Sequence, residues 1–465
     1  FGRIRDLTKK QNPNLVICTY TDAGVDLVRM ESSAWLASEN EAPWNYFSTD
    51  HVKSVLGSYT DKFPSNLLQY FLAIPFRHIT TSPNLSRVWV VENMLNGAPL
   101  DVYVIGTLVN QKDRRFLPIM REIYRFHKTN EKLFTNLQPV SKVALIRGSQ
   151  EEYRGMIKLL SEEHIMYDII EPSAVGSTGL PKKLQEYDAL ILGDIAEMDD
   201  QFISIVDDYV KNGGKILCTG FTSTKDGIGA PTNKIRLEAL GVESSYDVFG
   251  KAKSTYLTVS SNDKAALGAK EFADFDLMMM YSDFLKCTVN NSAQGFLKLL
   301  PATMFGPPEK SYYTEAQVTD TPGIIFNNYG KGKSVFIPWQ LGRQYNFKAH
   351  YAHKALFVSA LKNLLKVDNS IVTDASPLIE MTRLANRNGA FEWIGLLNHS
   401  GQIGASLLEP VPIHNTTIRF KPVKPVKEIK LLKSKTSLNF KQTNGWVECT
   451  VPKVSDFEML LCLYR

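Results

Sequence analysis

Short apolar runs alternate with amphipathic stretches over the first part of the chain. The apolar runs predict strands at 15–20, 25–31, 66–72 and 101–108. The amphipathic stretches predict helices at 50–59, 83–96 and 114–134. Strands that alternate with helices are typical of βα units around a parallel sheet. Four such units are half of a (β/α)8 barrel, so residues 1–138 are predicted to form the second half of a TIM-type barrel.

A second α/β pattern begins at Val140. Its strands are predicted at 142–146, 166–170, 189–192, 215–219 and 329–338. Its helices are predicted at 151–164, 199–211 and 351–365. Gly213 and Gly214 follow the second of these helices and end it, since glycine is the common residue just past a helix. This order predicts a doubly wound, Rossmann-like α/β domain over 139–366.

The pattern changes after Lys366. Asn, Gly, Pro and Ser separate short alternating segments at 391–397, 416–420, 426–432, 446–451 and 457–463. Such spacing is typical of all-β domains and predicts a C-terminal β-sandwich over 367–465. The fold class is therefore α/β, with an all-β domain at the end.

The first ten residues, FGRIRDLTKK, predict an amphipathic helix with no Ser, Thr, Asp or Asn before it as an N-cap. We expect the sequence to begin inside the barrel domain.

Composition narrows the class of protein. A chain of 465 residues with 44% hydrophobic and 22% charged residues predicts a globular protein of two or three domains. The net charge of +5, from 53 basic and 48 acidic residues, is too small to indicate a nucleic-acid or anionic membrane partner. No apolar run approaches the ~20 residues of a membrane span. We expect a soluble protein, cytoplasmic or, if a signal peptide lies upstream, periplasmic or secreted.

Lysines recur between residues 421 and 435, at 421, 424, 427, 430, 433 and 435. No aromatic residues interleave with them for base stacking, so a solvated strand face is favoured over a polyanion patch.

The cysteines give no sign of a metal or cofactor. All five stand singly, without the spacing of a zinc site or a disulfide framework. Cys218, in Leu-Cys-Thr-Gly, resembles an amidotransferase nucleophile only loosely, because no His-x-Glu pair follows to activate it. The segment 147–152 holds one glycine and is no phosphate loop. We expect neither a metal nor a cofactor, and a buried, structural Cys218.

Glu31 is the candidate catalytic residue. Strand alternation places Leu27, Arg29 and Glu31 on one side, with Glu31 at the C-terminal end. Barrel active sites lie at that end of the strands. A carboxylate there could act on a glycosidic bond as nucleophile or acid, or could hold sugar hydroxyls. The alternative is a structural pair between Glu31 and Arg29.

Residues around Glu31 are candidates for substrate binding. The loop 35–47 carries Trp35, Trp44 and Tyr46 among Glu39 and Glu41. Aromatic rings can form platforms for sugar faces, but such a loop can also pack by its own aromatics. Arg29, beside Glu31, is a further candidate for substrate binding. Others lie on or after the third and fourth strands, and are Gln69, Arg77, His78, Asp101 and Tyr103.

Several stretches, together with the domain order, carry a family resemblance. They are VDLVRMES (25–32), PWNY (43–46), SYTDK (58–62), RHITTSP (77–83), NGAPLDVYVIG (96–106) and DYVKNGGKIL (208–217). The chain resembles the bacterial β-galactosidase family whose amidotransferase-like middle domain mediates trimerisation, and related hypothetical glycosyl hydrolases. The resemblance implies a glycoside hydrolase that acts on carbohydrate, and a homo-oligomer, with a trimer favoured. In such a ring the loop 306–313 could complete a neighbour's sugar pocket, although a surface turn is the simpler interpretation.

One departure from that family matters. The resemblance places a nucleophilic glutamate at the end of the seventh strand, but the matching run SNLLQYF (65–71) offers Gln69. Glu31 on the preceding strand is the nearest substitute. The acid/base glutamate would lie upstream of Phe1, so we expect one carboxylate of the pair to be missing here. The alternatives are a degenerate barrel that binds carbohydrate or acts as a scaffold and, less favoured, an amidotransferase-type enzyme that uses Cys218.

Overall fold

The computed structural model describes residues 1–34, 42–177, 179–268, 270–302 and 306–465, and the chain divides into two compact units. The first unit holds Phe1–Ser141, His164–Ile169 and Ser370–Arg465. The second holds Lys142–Glu163 and Ile170–Asn369. Among the described residues, no helix has the length and apolarity needed to span a membrane.

The α-helices are, in chain order, α1 (Gly2–Gln11), α2 (Phe47–Ser58), α3 (Pro83–Leu95), α4 (Leu117–Thr129), α5 (Gln150–Glu162), α6 (Leu180–Leu184), α7 (Asp200–Lys211), α8 (Ser261–Leu267), α9 (Leu341–Lys348) and α10 (Tyr351–Val358). A π-helical turn, Ser359–Leu364, follows α10.

The strands of the first part of the chain are β1 (Cys18–Thr19), β2 (Leu27–Ser32), β3 (Phe63–Gln69), β4 (Asp101–Tyr103), β5 (Leu137–Pro139), β6 (Val143–Ile146), β7 (Tyr167–Ile170), β8 (Ala189–Gly193) and β9 (Lys215–Thr219). The middle strands are β10 (Val242–Thr258), β11 (Leu277–Val289), β12 (Ala293–Leu300), β13 (Pro322–Tyr329) and β14 (Gly332–Ile337).

The C-terminal strands are β15 (Ile371–Thr373), β16 (Ile379–Asn386), β17 (Phe391–Asn398), β18 (Gln402–Ile403), β19 (Ser406–Leu407), β20 (Ile413–Phe420), β21 (Val426–Leu431), β22 (Thr436–Leu438), β23 (Phe440–Thr443), β24 (Trp446–Val454) and β25 (Phe457–Tyr464).

In the first unit, β1, β2, β3 and β4 pair in that order and every pairing is parallel. Successive side chains of a strand point to opposite faces. Leu68 of β3 packs with Trp89 of α3 and Ile123 of α4 in one buried cluster, so this face of the sheet is covered by helices. Residues of odd number in β2, β3 and β4, among them Glu31, therefore lie on the other face.

Two antiparallel sheets complete the first unit. Their strand orders are β15-β20-β24-β23 and β22-β21-β25-β17-β16-β5. Ile418 and Val451 of one sheet pack with Ile394 and Leu460 of the other in a single buried cluster, so the two sheets lie face to face. This layering is what the alternating apolar pattern after Lys366 indicates.

In the second unit, β14, β9, β8 and β6 pair in parallel. The strands β11, β10, β12, β13 and β14 continue this sheet through antiparallel pairings. A buried cluster that includes Ala144, Val206 and Phe336 packs α7 against the sheet. The elements predicted between 142 and 219 are all present, with ends that differ by one or two residues.

Two differences from the predicted elements have physical reasons. The strand predicted at 329–338 is present as β14 but begins at Gly332, because its first residues form the turn from β13 at Gly330, where φ is +59°. The long pair β10 and β11 was not predicted. Register shifts near Phe249 and Ala252 interrupt its alternation of apolar and polar residues, so the sequence lacks the period of two that marks a strand.

A buried carboxylate lies among the parallel strands of the second unit. Glu152 of α5 accepts hydrogen bonds from the Thr219 hydroxyl at 2.7 Å and from the backbone N–H groups of Gly342 and Arg343. Burial outweighs these bonds and raises the pKa of Glu152 to about 7. The neutral acid is therefore the form that the fold favours.

We expect the contribution of Glu152 to stability to fall as the pH rises. The pKa of Glu152 is about 7 in the folded state, whereas the ordinary value for a glutamate side chain is 4.5. Its contribution is thus fully present below about pH 4.5 and is lost as the pH rises through 7, at a cost of about 3 kcal/mol. Glu152→Gln, which mimics the neutral acid, should raise the melting temperature at pH 8 and leave it nearly unchanged at pH 4.5. Exposed Glu186→Gln is the control, and equal effects of both variants would contradict the assignment.

Candidate functional site

The carboxyl ends of β2, β3 and β4 bring polar residues together on the sheet face that the helices leave uncovered. Glu31 pairs in register with Leu67, and Leu67 with Asp101. Gln69 pairs in register with Tyr103. Parallel strands place their carboxyl ends at one edge, so side chains that are distant in sequence converge there.

Glu31 is held by donors from both neighbouring strands. Its Oε2 accepts a hydrogen bond from Gln69 Nε2 at 2.7 Å, and its Oε1 accepts one from the Tyr20 hydroxyl. Ser33 Oγ donates to Gln69 Oε1 at 2.8 Å, which fixes the orientation of the amide. Burial and the Glu31 carboxylate raise the pKa of Tyr20 to about 12, so its hydroxyl remains a donor at neutral pH.

Asp101 is the second carboxylate on this face. It forms an ion pair with Arg29, whose Nη2 lies 3.1 Å from Oδ2, and Ser65 Oγ donates to the same oxygen at 3.2 Å. Arg29 thus bonds across β3 to Asp101. The strand-end cluster consists of Tyr20, Arg29, Glu31, Gln69 and Asp101.

The two carboxylates have different partners. Glu31 is bonded to neutral donors, whereas Asp101 is bonded to a cation. A carboxylate paired with arginine is arranged to accept further hydrogen bonds, such as those of sugar hydroxyls. A carboxylate held by neutral donors can attack a carbon atom or take a proton. The arrangement therefore offers one reactive and one binding carboxylate.

The remaining predicted binding residues lie in different surroundings. Tyr103 is half-buried, and its ring meets Phe71 edge to face at 5.4 Å. Arg77 and His78 are exposed and follow the short helical turn Ile74–Phe76. Within the described part of the chain, neither forms a hydrogen bond with the strand-end cluster.

The described end of the aromatic loop, residues 42–47, packs against the protein. Tyr46 is 7% exposed and lies between Trp44 and His399, with ring centroids 5.3 and 5.2 Å away. Most of its ring is therefore covered by protein. Trp35, Glu39 and Glu41 lie outside the described residues.

Tyr20 and Ser33 join the site although the sequence did not single them out. Tyr20 stands at the end of the first predicted strand, and Ser33 is two residues beyond Glu31 on the same face. Strand-end position and alternation are the signals that could have found them.

Cys218 lies within β9 and is fully buried. Burial raises the pKa of its thiol well above the ordinary range. A nucleophilic cysteine must ionise, so this environment does not support amidotransferase chemistry at Cys218.

No protein-family model matches the sequence, and no curated protein matches it either. Solved structures do share its fold. Alpha-L-fucosidase isoenzyme 2 from Paenibacillus thiaminolyticus has a TM-score of 0.76 at 18% identity, over 100% of this chain and 70% of that one. A catalytic mutant of Gan42B, a GH42 β-galactosidase from G. stearothermophilus, has a TM-score of 0.66 at 12% identity, over 98% of this chain and 65% of that one.

A β-galactosidase from Rahnella sp. R3 has a TM-score of 0.65 at 14% identity, over 97% of this chain and 64% of that one. At such identities the similarity shows a shared fold. The chain thus has a mixed α/β fold that glycoside hydrolases adopt, and it spans 64% to 70% of the length of these three. The resemblance seen in the sequence is supported at that level.

A buried amide beneath the site should be needed for stability. Asn66 of β3 donates to Ser32 Oγ at 2.9 Å and to Asn93 Oδ1 at 2.8 Å. Asn66→Leu would leave buried acceptors without a donor, and we expect a loss of about 3 kcal/mol in the free energy of unfolding. Exposed Asn14→Leu is the control. Chemical denaturation measures both, and a loss below 1 kcal/mol for Asn66→Leu would contradict the role given to the amide.

Proposed function

We propose that this protein is a glycoside hydrolase, β-galactosidase-like, that binds carbohydrate at the carboxyl ends of β2, β3 and β4. One observation carries the proposal: the Glu31 carboxylate is fixed by Tyr20 and Gln69 at the strand ends of a parallel sheet. The shared fold with glycoside hydrolases supports it. In this proposal β1–β4 supply half of a (β/α)8 barrel, where the carboxyl ends carry the chemistry.

Glu31 acts as nucleophile or base in this proposal. Tyr20 and Gln69 both donate to it and fix its orientation, which attack on a carbon or transfer of a proton requires. Glycoside hydrolysis passes through an oxocarbenium-like transition state flanked by two carboxyl groups. The second carboxyl group, the acid, comes from outside the strand-end cluster. The ion pair of Arg29 and Asp101 then binds sugar hydroxyls beside Glu31.

Replacing Glu31 tests the assignment. Glu31→Gln keeps the shape of the side chain and removes its charge, so kcat/KM for aryl glycosides should fall about 1,000-fold in the full-length protein. Asp61→Asn, an exposed change in the turn before β3, is the control and should leave the rate unchanged. Circular dichroism verifies that both variants fold. Unchanged hydrolysis of every aryl glycoside by Glu31→Gln would show that Glu31 is not catalytic.

The second candidate function is carbohydrate binding or scaffolding without turnover. Gln69 favours it, because an amide stands where the family resemblance places a nucleophile. Glycan-array binding by a protein that turns over no glycoside would support this function. Gln69→Glu separates the two further. A gain of hydrolysis on that change, with none in the natural protein, would identify a degenerate site.

We also propose that the second unit, as an amidotransferase-like domain, mediates assembly into a trimer. Its loop at 306–313 carries Tyr312, which is 81% exposed. Large exposed apolar side chains are typical of association sites, and closed rings are common among oligomeric proteins.

Light scattering tests the assembly. The natural protein should have three times the chain mass at micromolar concentration, and Tyr312→Ser should shift the population toward monomer. Val423→Ser, an exposed apolar residue of the first unit, is the control. A strictly monomeric mass for the natural protein would refute the trimer.

A further inference from the structure

Three metal-binding side chains meet in the interior of the first unit, apart from the strand-end cluster. They are Glu92 of α3, Glu380 of β16 and His399, which follows β17. All three are buried, with 1%, 4% and 6% of their surfaces exposed. One oxygen or nitrogen atom of each lies within 4.8 Å of the others.

Glu92 has an oxygen that its surroundings do not satisfy. Its Oε2 accepts hydrogen bonds from the backbone N–H groups of Ser48 and Thr49, at 2.9 and 3.1 Å, at the start of α2. Its Oε1 is buried and accepts no hydrogen bond from the described residues. A buried acceptor without a donor costs about 1–3 kcal/mol. A ligand or a proton bound to this oxygen would remove that cost.

The other two side chains are each held by a further group. His399 Nε2 lies 2.8 Å from Glu380 Oε2, and Glu380 Oε1 accepts a hydrogen bond from Thr49 Oγ1 at 2.6 Å. His399 Nδ1 lies 3.3 Å from the Asn45 amide. Metal ligands in proteins are usually oriented by such outer hydrogen bonds. Each ligand here has that support.

The charges around this group favour a cation. Glu92 and Glu380 are two carboxyl groups in a dry interior, and Asp50 adds a third acidic group close to Glu92. Lys53 is the buried cation beside Glu380, and its Nζ donates to the Tyr167 carbonyl at 2.8 Å. Burying uncompensated carboxylates costs several kcal/mol each. A divalent ion between the ligands would remove that cost.

We propose that Glu92, Glu380 and His399 bind one Zn²⁺ ion that joins α3 to β16 and β17. One imidazole nitrogen and two carboxylate oxygens suit zinc, whereas calcium and magnesium prefer oxygen ligands alone. Zinc takes the Nε2 lone pair of His399, and the proton that Nε2 held is replaced by one on Nδ1, so the imidazole stays neutral. The Asn45 amide then flips, so that its oxygen takes the place of its nitrogen and accepts a hydrogen bond from Nδ1–H. The side chain otherwise stays in place. The role of the ion is structural.

Zinc titration of the metal-stripped, full-length protein tests this site. We expect one Zn²⁺ per chain with submicromolar affinity and a higher melting temperature. Co²⁺ in place of Zn²⁺ should give visible absorption that the metal-free protein lacks. None of these readouts depends on hydrolysis, so failure here leaves the proposed function untouched.

Matched variants locate the ion. Glu92→Gln keeps an oxygen for the α2 backbone, and His399→Gln removes the nitrogen ligand; each should weaken binding at least about 100-fold. Asn45→Ala should weaken it about 10-fold. Exposed Glu122→Gln and His414→Gln are the controls and should bind zinc as the natural protein does.

Two results would overturn the proposal. One is zinc binding that is absent, or equally strong in every variant, which would indicate surface sites only. The other is a Glu92→Gln variant that is more stable than the natural protein without zinc, together with no effect of zinc on either. That outcome would identify a carboxyl group kept protonated by Glu380, with no ion involved.

Discussion

The register of three parallel strands determines what the first unit can do, and one buried amide holds that register. Asn66 bonds to β2 through Ser32 and to α3 through Asn93. A shift of β3 by one residue would break these bonds and turn Gln69 away from Glu31, because successive side chains alternate between faces. The polar residues on one face of the sheet and the carboxylates on the other face thus depend on the same strand register.

Much of this arrangement could be predicted from the sequence because it follows from local rules. Strand alternation and strand-end position predicted Glu31 as a site residue, and Gln69 and Asp101 were candidates because they lie on the next two strands. Their common face follows from the register of the strands. The same rules could not give the partner of Arg29. An ion pair that crosses an intervening strand depends on register, which the sequence pattern does not fix, and Arg29 bonds to Asp101 and not to Glu31.

Buried charged residues explain two further features that sequence reasoning missed. Strand β16 is buried along its whole length yet carries Arg383, which pairs with buried Glu392 of β17, so its composition suggests a surface segment. No local sequence pattern could predict that Glu92, Glu380 and His399 meet, because α3 and β16 are distant in sequence. Charged residues that have partners inside a protein are buried, so a prediction that assumes polar residues are exposed is wrong for them.

The interleaving of the two units along the chain governs the order in which they can form. Thr49 and Glu380, which bond directly, are 331 residues apart in sequence. During synthesis the first unit lacks Ser370–Arg465 until the whole of the second unit has been made, whereas the second unit is nearly continuous from Lys142 to Asn369. The second unit can therefore become compact first. The two parts of the first unit are separated in sequence by the second unit, so contacts between them close a long segment of chain. The first unit is therefore the slower to fold and the one that chaperones would protect.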